Sequence, residues 1–156
     1  MPVQLRKATI EDCEQIHRMQ VASFRALLEK YHDLETNPGA EPLSRVVERM
    51  QQPFTDYYLI LLNGTEIGVI RVVRRSEDVC RVAPLFILPG FQGKGYAQAA
   101  MLAAERLYPE ATLWQLSTIL QEEKLCYLYE KLGYRRTGET ETIQPGMDII
   151  CFEKKR

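Results

Sequence analysis

The chain has 156 residues, of which 46% are hydrophobic and 26% charged, a composition typical of a globular domain with a buried core. Lys and Arg number 20 and Asp and Glu 21, so a net charge of −1 gives no overall basic field and excludes nucleic acid as an expected partner. No apolar run approaches the ~18 residues of a membrane span, and the N-terminus lacks a signal core. We therefore predict a single cytoplasmic domain over residues 1–156, without a membrane partner.

The first part of the chain predicts one strand followed by two helices. Residues from Val3 to Ala8 alternate in polarity, which predicts a strand. Thr9 and Asp12 form a capping-box-like pair before a helix whose apolar residues recur at threes. Residues 35–42 contain two prolines and a glycine and predict a loop, and residues 43–50 predict a short amphipathic helix.

Three strands are predicted in the middle of the chain. Runs from Tyr57 to Leu62 and from Ile67 to Val73 flank Asn63-Gly64, a dipeptide typical of tight hairpin turns. Val79 to Leu88 forms the third strand, and Pro84 lies inside it. Because proline cannot donate to a ladder, we predict either an edge strand or a bulge there, and a bulge would open the sheet.

The last part of the chain alternates helices with strands. We predict helices at 95–108 and 120–132, strands at 112–116, 134–138 and 147–152, and a solvated tail at 153–156. The complete order β-α-α-β-β-β-α-β-α-β-β predicts a mixed α/β sheet with helices on both faces.

The segment from Gln92 to Ala97 is the most informative stretch of the sequence. It follows the apolar run from Leu85 to Pro89 and precedes an Ala-rich helical run. A glycine-spaced turn between a strand and a helix points several backbone N–H groups at one spot, at the positive end of the helix dipole. Such a spot favours an anion, most often a phosphate.

Two common phosphate-binding motifs do not fit this turn. In a P-loop two glycines stand five apart before Lys and Ser or Thr, whereas Gly90 and Gly93 are too close and Gly95 follows Lys94. A dinucleotide fingerprint needs a third glycine where this chain has Gln98.

A third pattern, Gln/Arg-x-x-Gly-x-Gly/Ala, is matched by Gln92, Gly95 and Ala97. A second block, the run from Leu128 to Tyr134, ends a helix whose apolar residues lie on one face. In this order and spacing, the two blocks resemble the GNAT superfamily of N-acetyltransferases. The resemblance implies a mostly antiparallel central sheet, acetyl-coenzyme A as co-substrate, and direct acetyl transfer to a primary amine of a small molecule or peptide, by a monomer or homodimer. An alternative is a non-catalytic acyl-coenzyme A binding or sensing module on the same fold.

The resemblance also assigns the residues that hold the coenzyme. The strand before the loop pairs with the pantetheine arm, and a backbone N–H near Ile87 polarises the thioester carbonyl. The backbone of the loop holds the pyrophosphate, and Lys94 adds a charge. The predicted coenzyme-binding residues are Phe86, Ile87, Leu88, Gln92, Gly93, Lys94, Gly95, Tyr96 and Ala97.

Tyr129 is the predicted catalytic residue, as the general acid that protonates the leaving thiolate. Its ordinary pKa of about 10 lies above that of a thiol, so the hydroxyl keeps a proton to donate. Tyr129 also lies on the apolar stripe of its helix, where it could serve packing alone. Cys126 is a weaker candidate for a covalent acetyl carrier, since no nearby charge in the sequence activates it.

The general base is left open by the sequence, because the strand from Cys80 to Phe86 contains no carboxylate. Glu122 stands where the family often has an asparagine that contacts the coenzyme. The segment from Asp33 to Pro42, with Tyr31 and Phe24, is the candidate acceptor wall. The candidate bases are Asp78, Glu29, Asp33 and Glu35.

The cysteines and histidines predict neither disulfides nor a metal site. His17 and His32 stand fifteen apart outside any ligand cluster, so we predict no metal. Wide gaps without a C-x-x-C pair predict free thiols in a reducing compartment. The cysteines are Cys13, Cys80, Cys126 and Cys151.

Overall fold

The computed structural model describes residues 2–156, which form one sheet with helices packed on both of its faces. The strands are β1 (Gln4–Lys7), β2 (Thr55–Leu62), β3 (Thr65–Arg74), β4 (Val79–Ile87), β5 (Leu113–Ile119), β6 (Arg135–Gln144) and β7 (Met147–Lys155). The helices are α1 (Cys13–Tyr31), α2 (Leu43–Met50), α3 (Tyr96–Leu107) and α4 (Glu123–Lys131). Their order along the chain confirms the predicted succession of elements.

The sheet is mixed and mostly antiparallel, as expected. Its strands lie in the order β1-β2-β3-β4-β5-β7-β6, and β4 with β5 is the one parallel pair in residues 2–156. That pair is short, because only Val79–Arg81 of β4 align with Leu113–Gln115 of β5. The centre of the sheet therefore contains two strands that start side by side and do not stay paired.

Alternating residues of the central strands divide the core into two layers. On β2, Leu59 packs with α1 and α2, whereas its neighbours Tyr58 and Ile60 pack with α3 and α4. Successive strand residues point to opposite faces, so the two helix pairs cover opposite sides of the sheet. None of the helices in residues 2–156 combines the length and apolar composition that a membrane crossing requires.

Of the two alternatives predicted at Pro84, an edge strand or a bulge, the structure shows a bulge. Ile70 of β3 faces Leu85 of β4, but Val72 faces Val82, so β4 has one residue more than β3 across this step. The side chain of Arg71 fills the irregularity, and its Nη1 donates to the Ala83 carbonyl oxygen at 2.8 Å. The bulge lies within residues 82–87, the part of β4 that has no partner strand on its other side.

The C-terminal hairpin differs from the prediction. β6 continues to Gln144 instead of ending at Gly138, because an edge strand can be polar on both faces and then shows no alternation. The predicted solvated tail at 153–156 was wrong over most of its length. Lys154 pairs with the buried Glu105 at 2.8 Å, and the Arg156 N–H donates to Thr112 at 2.8 Å.

Candidate active site

A gap opens in the sheet between the carboxyl ends of β4 and β5. Beyond Arg81, β4 pairs only with β3, and beyond Gln115, β5 pairs only with β7. The segment 82–87 therefore has no strand on its β5 side. Backbone groups on that side remain available to a ligand that lies in the gap, as an added strand would.

The Ile87 N–H points into this gap. The next residue, Leu88, donates its N–H to the Ile67 carbonyl of β3 at 2.8 Å. Because backbone groups alternate sides along an antiparallel pair, the N–H of Ile87 faces away from β3. A carbonyl oxygen placed in the gap could accept a hydrogen bond from it.

The loop from Gln92 to Gly95 joins this strand to the start of α3. Gly93 and Gly95 have φ angles of +75° and +86°, in the left-handed region that favours glycine. The N–H groups of Gly95, which caps α3, and of the first three residues of α3, 96–98, donate no hydrogen bond to any described residue. They lie at the positive end of the helix, which is a suitable place for a phosphate group.

The other predicted loop residues have different surroundings in the structure. The Gln92 side chain donates from Nε2 to the Ile87 carbonyl oxygen at 2.8 Å, so it ties the loop to β4. Lys94 is exposed and has no ion-pair partner within residues 2–156. Tyr96 and Ala97, in the first turn of α3, pack against the core beneath the loop.

The strand residues before the loop face opposite layers. The Phe86 ring packs edge-on against Phe24 of α1, with 5.6 Å between ring centroids, and Leu88 joins the same layer. The Ile87 side chain points to the layer of α3 and α4, which also contains Tyr129. The Ile87 side chain and Tyr129 therefore belong to the same layer of the core.

Tyr129 is buried on the inner face of α4. Its ring contacts those of Tyr134 and Phe152, with centroid separations of 6.2 and 6.1 Å. Its hydroxyl has no hydrogen-bond partner within residues 2–156. Burial raises the pKa of Tyr129 to about 12, so the side chain is protonated at physiological pH.

Cys126 is poorly suited to carry an acetyl group. Its thiol is buried and points at the carbonyl oxygens of Ile119 and Leu120, 3.7 and 3.8 Å away. Burial raises the pKa of the Cys126 thiol, which disfavours the thiolate that such a reaction requires.

Among the described residues, none of the four candidate bases from the sequence hydrogen-bonds to a residue that lines the gap. The Asp33 carboxylate accepts from the backbone of Glu35 and Thr36, so it shapes its own turn. Asp78 precedes β4, about 30 Å from the Ile87 end at the usual rise of a strand. Glu29 and Glu35 are exposed.

Helix α1 crosses over the gap and forms one wall of it. Phe24 contacts β4 through Phe86, and two turns later Tyr31 contacts Glu122, which follows β5. Gln144, at the tip of the β6–β7 hairpin, donates to the Tyr31 carbonyl oxygen at 2.6 Å. The sequence indicated Tyr31 and Phe24 as wall residues, but it gave no signal for Gln144.

Glu122 is the carboxylate that the structure brings to this wall. It accepts from the Tyr31 hydroxyl at 2.5 Å and from Lys30 Nζ at 2.7 Å. Partial burial acts to raise the pKa of Glu122, but these two hydrogen bonds outweigh it and hold the pKa below its ordinary value. Within residues 2–156, no three His, Cys, Asp or Glu side chains converge as metal ligands would.

Comparisons with known proteins agree with this architecture. The family model described as the acetyltransferase (GNAT) family matches residues 15–134. No curated protein sequence is similar enough to the chain to count as a match. Among solved structures, the fold resembles an acetyltransferase from Salmonella typhimurium that modifies the N-terminal serine of a ribosomal protein, with a TM-score of 0.77, 16% identity, and coverage of 100% of this chain and 96% of that one.

Two further structures show the same fold. The acetyltransferase AAC(6')-Ib in complex with ribostamycin and coenzyme A gives a TM-score of 0.76 at 22% identity, covering 100% of this chain and 94% of that one. A chimeric spermidine N-acetyltransferase from Vibrio cholerae gives 0.76 at 17% identity, covering 99% and 96%. Since the family model covers most of the chain, including the glycine loop and the whole of α4, the protein belongs to the GNAT acetyltransferase family.

Proposed function

We propose that the protein is an acetyl-coenzyme A-dependent N-acetyltransferase that transfers acetyl directly to a primary amine. One combined observation carries the proposal. Residues 82–87 of β4 have a free side, the Ile87 N–H faces that side, and the N–H groups at the start of α3 have no partner among the described residues. A β-carbon added at Gly93 would meet no atom within 4 Å, so the loop surface is open to a ligand. These features fit a pantetheine arm and a pyrophosphate.

In this proposal the coenzyme supplies the acetyl group as a thioester. The N–H groups of residues 95–98 bind the pyrophosphate, and the Ile87 N–H donates to the thioester carbonyl and stabilises the charge that develops there. Tyr129 donates its proton to the sulfur as the C–S bond breaks. The amine forms the new C–N bond and loses a proton to solvent, and Tyr129 regains a proton from solvent, so the exchange balances.

The acceptor class is supported by the structures that share the fold. Their names describe acetylation of a protein N-terminus and of spermidine, and a complex with ribostamycin. Each of these acceptors presents an amine.

The proposal is tested by titrating the full chain with coenzyme A and with acetyl-coenzyme A in a calorimeter. We expect saturable uptake of both. Absence of uptake by folded protein would contradict the proposal. A screen of acetyl-coenzyme A consumption against amines, amino acids, aminoglycosides and peptides then identifies the acceptor.

A second candidate function is a non-catalytic acyl-coenzyme A sensor, favoured by the absence of a carboxylate on β4. The two functions differ in one measurement. An enzyme consumes acetyl-coenzyme A when the right amine is supplied, whereas a sensor binds the coenzyme and shows no turnover with any member of the screen.

A further inference from the structure

Two arginine side chains border the gap at the end where β4 and β5 separate. Arg81 is the last residue of β4 that pairs with β5, and its partner there is Gln115. Its Nη2 donates to Ser117 Oγ at 3.0 Å, two residues beyond that pair, so the side chain bridges the two strands where they diverge. Arg71 Nη1 donates at 2.8 Å to the carbonyl oxygen of Ala83, in the part of β4 that borders the gap. These contacts place both guanidinium groups at the start of the gap.

Arg81 points to the face of the sheet that α1 and α2 cover only in part. Its neighbours Cys80 and Val82 pack in the layer of α3 and α4, so the side chain between them lies on the opposite face, and the same holds for Ser117 beside Leu116. Among the described residues, the layer of α1 and α2 contains none from β5, β6 or β7. Arg81 and Ser117 are half-buried. A ligand on this face can therefore reach Arg81.

Neither guanidinium charge is neutralised by another described residue. Arg71 and Arg81 form no ion pair within residues 2–156. Their acceptors are a backbone carbonyl, a serine hydroxyl and the side-chain oxygen of Gln52, 2.9 Å from Arg71 Nη2. By contrast, Arg49 of α2 donates to both carboxylate oxygens of Glu41, at 2.8 and 2.7 Å. The fold therefore pairs one arginine on this side with a carboxylate and leaves two without one.

The surroundings of Arg71 favour an added negative charge. Its side chain is buried, with the residue 8% exposed, and its Cζ lies 5.9 Å from the centre of the Tyr57 ring. The Arg71 Nε and the Tyr57 hydroxyl are buried donors without an acceptor among the described residues. Burial lowers the pKa of Arg71, and the charges of Arg49 and Arg81 act in the same direction. An anion beside these groups would offset both the burial of the charge and the repulsion.

We infer that Arg81 and Arg71, together called the arginine pair, bind a carboxylate of the acceptor on the α1 side of the gap. The inference rests on the proposed function and narrows its acceptor to amines that also carry a carboxylate, the class of amino acids and peptides. Arg81 is the accessible member and contacts the carboxylate through its planar fork of N–H donors, whereas Arg71 is buried and contributes its charge.

The spacing of the arginine pair from Ile87 indicates which amine reacts. Ser117, where the Arg81 guanidinium lies, is about level with Ala83, and the distance from there to Ile87 is about 10–13 Å at the usual rise of a strand. Contacts of about 3 Å at each end leave roughly 4–7 Å between the carboxylate and the amine nitrogen. An amine on the same carbon as the carboxylate is too close to it. The reacting amine therefore lies several bonds away, as in a side-chain amine or the N-terminus of a short peptide.

The first test compares two ligands on wild-type protein saturated with coenzyme A, which binds without turnover. In calorimetric titrations, we expect 5-aminopentanoate to bind about 10-fold more tightly than 5-aminopentanamide, as expected for one added charged hydrogen bond. The amide has the same length and shape and lacks only the negative charge. Equal affinities, or no binding of 5-aminopentanoate, would overturn the inference.

The second test removes the accessible charge. Arg81→Gln should weaken 5-aminopentanoate about 10-fold and leave the affinity for 5-aminopentanamide within about twofold, whereas Arg81→Lys keeps the charge and should retain part of the preference. Arg106→Gln, at an exposed position of α3, changes the net charge equally and is the matched control. If Arg81→Gln weakens both ligands equally, Arg81 only joins β4 to β5 and the inference is overturned. Should Arg81→Gln not fold, Arg81→Lys and the wild-type ligand pair still decide.

A third measurement separates the acceptor from the coenzyme as the source of the anion. The proposed phosphate site at residues 95–98 lies beyond the opposite end of the segment 82–87. Arg81→Gln should therefore bind coenzyme A with wild-type affinity. A loss of coenzyme A affinity in this variant, with Arg106→Gln unchanged, would assign the arginine pair to a phosphate of the coenzyme and overturn the inference.

Failure of the inference can be separated from failure of the proposed function. If coenzyme A binds and the screen finds only acceptors without a carboxylate, the N-acetyltransferase assignment stands and the role of the arginine pair is overturned. If folded protein takes up no coenzyme A, the enzymatic assignment falls and the inference falls with it.

Discussion

The two ends of the proposed active site are built in different ways. At the proposed coenzyme end, the backbone N–H groups of residues 95–98 and of Ile87 have no partner among the described residues, and two glycines permit the turn. At the acceptor end, side chains from distant parts of the chain meet: Tyr31 contacts Glu122 across 91 residues and Gln144 across 113. The first end is encoded locally and the second by the tertiary fold.

This difference suggests that the coenzyme end of the proposed active site keeps one backbone geometry, whereas the side chains of the acceptor end can vary. Backbone donors tolerate many side chains at their own positions, so the coenzyme end depends on chain direction and on a few glycines. Side chains at the acceptor end can change without disturbing the sheet, because Glu122, Tyr31 and Gln144 are all at the ends of elements. We expect substitutions at the two ends to affect different kinetic parameters.

The largest effect is expected at Tyr129, the side chain that we propose as the general acid. Tyr129→Phe should lower kcat by about 100-fold, the range of a lost general acid, and leave coenzyme affinity unchanged. The hydroxyl has no hydrogen-bond partner within residues 2–156, so the variant should fold normally. Steady-state kinetics and calorimetry measure the two quantities.

Tyr127→Phe is the matched control, since Tyr127 lies on the same helix and is 66% exposed. It should retain wild-type kcat. If both variants behave alike, Tyr129 serves packing alone and the coenzyme end contains no catalytic side chain.

A second effect concerns pH. Tyr129 has a pKa of about 12 when folded and about 10 when unfolded, so the unfolded chain loses its proton first as the pH rises. The stability that this group contributes is complete below pH 10 and is lost between pH 10 and 12, up to about 3 kcal/mol. Burial also raises the pKa values of Tyr108 and Tyr134, which act in the same direction.

Denaturant titrations across this range check the assignment. The free energy of unfolding of wild-type protein should fall from pH 10 to 12, and that of Tyr129→Phe should fall less over the same interval. Parallel curves for the two proteins would show that Tyr129 is not shielded in the folded state.

The glycine loop should give the next effect. Gly95→Ala places a β-carbon on a residue with φ of +86°, at a strain of about 1–2 kcal/mol, and shifts the N–H groups that follow. We expect coenzyme A to bind about 10-fold more weakly, as measured by calorimetry. Gly64→Ala in the β2–β3 turn, with φ of +82°, should cost similar stability without changing coenzyme affinity.

The contrast between locally encoded features and tertiary contacts also explains which parts of the structure the sequence could predict. The succession of elements, the hairpin at Asn63-Gly64 and the bulge at Pro84 follow from periodicity and from residues with restricted backbones, so they were confirmed. The length of β6 was missed because an exposed edge strand has no polarity pattern. The contacts of Glu122 with Lys30 and Tyr31 could not be predicted, because they depend on how α1 lies over the gap.

The smallest effect is expected at the acceptor end, from Gln144. Its side chain fixes the end of α1 through one hydrogen bond to the Tyr31 carbonyl oxygen, and such a bond contributes about 0.5–1.5 kcal/mol. Gln144→Leu should therefore raise KM for the amine by about two- to tenfold while coenzyme affinity stays the same. Gln115→Leu is the control, because Gln115 contacts Arg75 near the opposite end of β5. A change in coenzyme affinity in Gln144→Leu would mean that the two ends are coupled through α1. The separation between the coenzyme end, built from backbone groups, and the acceptor end, built from side chains, would then no longer hold.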